Sequence, residues 1–206
     1  AMYSIPYQLA GKITILSKSL AAVLLPNISL GNETKKFNYS IKLYVFVVPL
    51  ILLLIFPILE EFLKFWLKNQ YSLEILVLTK IFLIVSWISG ISHILIAFFE
   101  GKENIKFNTI LELYLIVPFL SILFLIIILF KDIIFISFIL LFKVVVLILI
   151  RSNKLKKNIN NLFVIQLNIF FVIFNALISI YFTKYFFFTL LLLVTFNLLL
   201  IRGQKK

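Results

Sequence analysis

Seven stretches of the chain stay apolar for long enough to cross a bilayer, which takes a helix of about 20 residues. They run over residues 4–25, 43–59, 75–99, 110–130, 133–150, 162–183 and 185–201. The connections are short, and none is long enough to fold as a soluble domain. Backbone in lipid must satisfy its own hydrogen bonds, so each stretch is a helix or belongs to a closed barrel. The strict in–out alternation of a barrel strand is absent. The pattern predicts an all-α polytopic bundle of about seven spans, forming a single transmembrane domain over residues 1–206. Pro49 and Pro57 in the second stretch and Pro118 in the fourth predict kinks.

Composition agrees with this picture. The chain is 63% hydrophobic and only 14% charged, against about 25% charged in soluble domains. A water-soluble globule and a disordered chain are both excluded. The chain has no cysteine, which removes disulfide scaffolds, thiolate nucleophiles and thiolate metal sites. A single His removes His-rich metal sites, and no cofactor is implied. The net charge of +12 is no nucleic-acid signal, because Lys and Arg gather in the cytoplasmic loops of membrane proteins. Twelve basic residues fall on one side: Lys35, Lys36, Lys42, Lys102, Lys106, Arg151, Lys154, Lys156, Lys157, Arg202, Lys205 and Lys206. Only four, Lys64, Lys68, Lys131 and Lys184, fall on the other. The split orients the C-terminus to the cytoplasm and the N-terminus to the far side. The balance of 18 Lys to 2 Arg reads as coding bias without functional weight. The start at Ala1, Met2 and Tyr3 has no basic n-region, so no signal peptide is expected. Ala before the only Met reads as a tag scar or an internal starting point.

The informative residues are the polar ones inside spans, where an ionisable group costs roughly 2.5–3.5 kcal/mol at the centre. They are Lys12, Lys18, Lys80, Lys143, Glu112 and His93. The excess is cationic and points to an anionic partner or a hydrated cavity. Lys18 and Lys80 lie near helix ends, where snorkelling competes with a cavity role. Lys12 sits mid-helix, and Lys143 has apolar runs on both sides. In the first span Gln8, Lys12, Ser19 and Pro26 share one stripe, and Gly11, Thr14, Lys18 and Ala22 share the next. Such a helix suits a cavity wall. In the third span Ser86, Ser89, Gly90, His93 and Ala97 form a small or polar stripe, which favours close helix packing. In the sixth, Asn161, Asn168 and Asn175 recur every seven residues. That ladder reads as interhelical glue or as a site for sugar hydroxyls.

No enzyme signature is present: no glycine-rich phosphate loop, no facing carboxylate pair and no Ser/His/Asp set. Glu60 and Glu61, with Lys64, Lys68 and Trp66, read as a solvated interfacial stretch. Glu112, one turn inside its span, calls for a partner on another helix, or serves as a protonation or cation site.

Two stretches carry a family resemblance. One is Tyr3, Ser4, Ile5, Pro6, Tyr7, Gln8, Leu9 and Ala10, continuing through Lys12 and Ser19 to Leu24, Leu25, Pro26, Asn27, Ile28 and Ser29. The other is Gly101 and Lys102, a short polar loop, then Ile110, Leu111, Glu112, Leu113 and Tyr114. Together they resemble the second half of the O-antigen and polysaccharide flippases of the MATE-like MOP superfamily. The family pattern has glycines where Lys131 and Asp132 stand here. Its basic residue on the next helix corresponds to Lys143. The resemblance implies a multi-pass bacterial inner-membrane transporter for lipopolysaccharide or capsule assembly. Its cargo would be an oligosaccharide on a polyprenyl diphosphate, moved by alternating access. Lys12, Lys143, Lys18, Lys80, Asn168 and Asn175 would line the cavity, and Glu112 and His93 would couple transport to an ion gradient. Its partners would be the lipid-linked oligosaccharide, membrane lipids, an N-terminal lobe and other polysaccharide-assembly proteins. The chain would be one lobe of a longer protein. A multidrug exporter of the same fold and a membrane-embedded polysaccharide-assembly protein are the other classes open to it. Acidic cavity groups would mark the exporter, and a large periplasmic loop would mark a polymerase.

Overall fold

The computed structural model describes residues 4–29, 33–130 and 133–155. These form five helices: α1 (Ser4–Ser29), α2 (Glu33–Leu67), α3 (Leu73–Gly101), α4 (Ile105–Phe130) and α5 (Ile133–Leu155). Each coincides with one of the first five apolar stretches; α2 and α3 extend beyond it at both ends, α1 and α5 at the C-terminal end and α4 at the N-terminal end. The expected sixth and seventh spans lie outside the described residues.

Three helical segments, Ser4–Ser29, Leu73–Gly101 and Ile105–Leu125, are long and apolar enough to cross a membrane. The two halves of α2 make a fourth if they act as one span. The apolar helices mark a membrane-embedded protein. α2 has 35 residues, far more than a straight span needs. Its halves meet at 42° between Leu52 and Leu54. Pro57 has no N–H to offer the carbonyl of Leu53 four residues back, and its ring crowds that carbonyl, so the break falls where the expected kink belongs.

α3 is the central helix and packs against the other four. It is buried on nearly every side, as suits a helix surrounded by others. Trp87, Ile88, Ile91, Ile94 and Phe98 are almost completely buried. Ser72 begins this helix by accepting a hydrogen bond from the Ile75 amide at 3.3 Å, an N-cap. α2 meets α3 through Phe37, Ile41, Tyr44, Val48, Leu52, Leu59 and Leu63, all buried at helical spacing. α1 turns Ala10, Ser17, Leu24 and Ile28 inward. The stripe of Gln8, Lys12 and Ser19 is on its exposed side.

Two glycines let α1, α2 and α3 approach closely. A Cβ on Gly90 would collide with the Tyr44 hydroxyl and lie 2.8 Å from the Ser17 Cβ. A Cβ on Gly101 would lie 2.7 Å from the Ile28 Cγ2. The small-residue stripe on α3 is thus a packing surface, as its composition predicts.

The turn from α3 to α4 follows from its end geometry. The Asn104 amide donates to the Phe99 carbonyl at 2.9 Å, and the Glu103 amide to the Glu100 carbonyl at 3.0 Å. This is the paired arrangement of a Schellman motif. Glu103 occupies its left-handed position, with φ of 60°.

Candidate functional site

Three of the residues singled out from sequence fall into two separate places, Lys12 in one and Glu112 and His93 in the other. The first is a groove between α1, α2 and α3 with a volume of about 480 Å³. Ile13, Leu54, Ile58, Leu59, Phe62 and Leu83 are among its walls, and among the described residues Lys12 is the one charged residue lining it. Its α2 wall comes entirely from the half of that helix beyond the bend. A lysine bordering an apolar groove suits an amphiphile with an anionic head, since Lys contacts phosphate as a point charge.

Lys143 is elsewhere, on α5. Its ammonium lies 4.6 Å from the centre of the Phe119 ring on α4, a cation–π contact. Lys80 is buried on α3, and the charge of Glu60 acts on it. Lys18 is exposed on α1. The structure therefore does not gather the four in-span lysines into one site. Asn168 and Asn175 lie outside the described residues.

The second place is a polar cluster where α3, α4 and α5 converge. Its hub is Arg151, whose side chain is completely buried. One guanidinium nitrogen, Nη2, donates to Glu112 Oε1 at 2.7 Å. Nε donates to Asn108 Oδ1 at 3.2 Å, and Nη1 donates to the Ser92 hydroxyl. Glu112 thus has the interhelical partner its position called for. His93 sits next to Ser92 on α3, half-buried, with the charges of both Lys18 and Arg151 acting on it. The two coupling candidates, Glu112 and His93, are brought to the same region.

Sequence reasoning missed Arg151. It follows directly on an apolar run and precedes Asn153 and Lys154, so hydropathy assigns it to a cytoplasmic loop. The helix instead continues to Leu155 and carries Arg151 inside. A signal was present: Arg is rare in this Lys-rich chain. Its rigid planar fork of five donors suits it to serve three acceptors on two helices at once.

At the opposite end of α3, Lys64 bonds Glu60 at 2.9 Å and Glu61 at 3.2 Å. These pairs are exposed, consistent with a solvated interfacial stretch, and such pairs add little stability. Among the described residues no group of His, Asp or Glu is arranged to hold a metal ion. No protein-family model, curated protein or solved structure matches the chain.

Proposed function

We propose that the chain is a lobe of a lipid-carrier flippase. Its cargo is an oligosaccharide linked to polyprenyl diphosphate, carried across the bacterial inner membrane. The observation that carries this reading is Lys12, set alone on the rim of the apolar groove. A polyprenyl chain needs an apolar surface, and a diphosphate needs a cation beside it. The groove offers both within one helix turn. The cargo would cross as two lobes rock about it, with no bond made or broken. The cationic excess among in-span residues favours an anionic cargo over the cationic drugs of exporters with related architecture.

Surface display of the polysaccharide, in cells whose only copy of the gene is altered, tests the reading. Lys12→Ala is expected to abolish display and Lys12→Arg to retain most of it, at equal protein levels in the membrane. Display at the unaltered level with Lys12→Ala would overturn the proposal.

A further inference from the structure

α4 is attached to the rest of the described helices in an unusual way. Its sides are mostly exposed: Leu113, Tyr114, Val117, Leu120 and Phe124 all face outward. Among the described residues its buried ones, Asn108 and Leu111, fall in the turns next to Glu112. Asn108 and Glu112 both bind Arg151. Immediately before it lies the turn with Glu103 in the left-handed conformation. Glu112 is 44% exposed although the guanidinium it binds is wholly buried. The Asn108 amide nitrogen is buried without a hydrogen-bond partner.

From this geometry we propose that Arg151 is the clasp of a latch. It fastens the Gly101-proximal end of α4 to α3 and α5, and breaking its bond to Glu112 lets that end of α4 swing on the turn at Glu103. Arg151 is the fixed half, because Ser92 on α3 also holds its guanidinium. Glu112 is the releasable half, because its side chain is 44% exposed and this one bond holds it among the described residues. The orphaned Asn108 amide makes the closed state less than fully satisfied, which keeps release within reach. The clasp is a positioning device, and it stands whether or not the cargo is a lipid-linked sugar.

The absence of cysteine allows clean single-thiol reporters. Leu111→Cys, buried on α4 in the turn that carries Glu112, reports the clasp, and Ser72→Cys, at the other end of α3, reports general loosening. Labelling by N-ethylmaleimide is followed in native membranes on the full chain. With Glu112→Gln, Cys labelling at position 111 is expected to rise roughly tenfold or more, the ratio one charge-assisted hydrogen bond commands. Glu112→Lys should raise it further, and labelling at position 72 should stay constant. Unchanged labelling at position 111 would overturn the proposal. A parallel rise at both positions would overturn it too, because that reports unfolding rather than release.

Discussion

The Tyr44 hydroxyl on α2 donates to the Trp87 carbonyl on α3 at 3.3 Å, directly over the bare backbone of Gly90. Ser17 of α1 closes the same spot from the other side. Three helices meet at a point where one hydrogen atom stands in for a side chain.

Gly90→Ala should therefore be among the most damaging single-methyl additions to this chain. The ring of Tyr44 would have to leave, and overpacking of this kind costs about 1–3 kcal/mol or more. Tyr44→Phe removes only the hydrogen bond and should cost about 1 kcal/mol. Thermal unfolding of the detergent-solubilised protein would rank the two. Gly90→Ala falling no further than Tyr44→Phe would contradict this packing.

Gly101 and Glu103 sit two residues apart and should respond in opposite directions. Gly101→Ala pushes a methyl into Ile28 and should destabilise. Glu103→Gly relieves a left-handed residue of its Cβ and should stabilise by up to about 1 kcal/mol. The same unfolding assay reads both, and a destabilised Glu103→Gly would contradict the assigned turn.

Arg151→Lys should behave as a disruptive change despite keeping the charge. A lysine reaches Glu112 but leaves Asn108 and Ser92 without their donors. Arg151→Ala should cost more, on the order of 3 kcal/mol. The midpoint of heat-induced aggregation should fall in the order unaltered protein, Lys, Ala.

Gln70 and Glu103 flank α3 at its two ends and should lie on opposite sides of the membrane. Single cysteines there should label with an impermeant maleimide from opposite faces, position 103 from the cytoplasmic one. Labelling of both from one face would refute the crossing of α3 and the charge-based orientation together.

The five described helices, the bend in α2 and the packing stripe on α3 were all legible from pattern. Helix formation in lipid depends on local hydropathy, and proline acts on the carbonyl four residues behind it. The need of Glu112 for a distant partner was legible too, because an in-span carboxylate must be neutralised. Its partner was not. Arg151 looks like a loop residue until α3, α4 and α5 are placed around it, since burial of a long side chain depends on which helices converge there.

The sequence alone determined that this chain enters a membrane as helices, which segments do so, and that its in-span charge is mainly cationic. Each follows from transfer of short local segments out of water. Only the tertiary structure decided that Lys12 borders an apolar groove while Lys143 stacks on Phe119. Only it showed that one of the chain's two arginines joins three helices. Those outcomes depend on contacts between residues far apart in sequence, such as Arg151 and Ser92, 59 positions apart, and such contacts leave no local pattern to read.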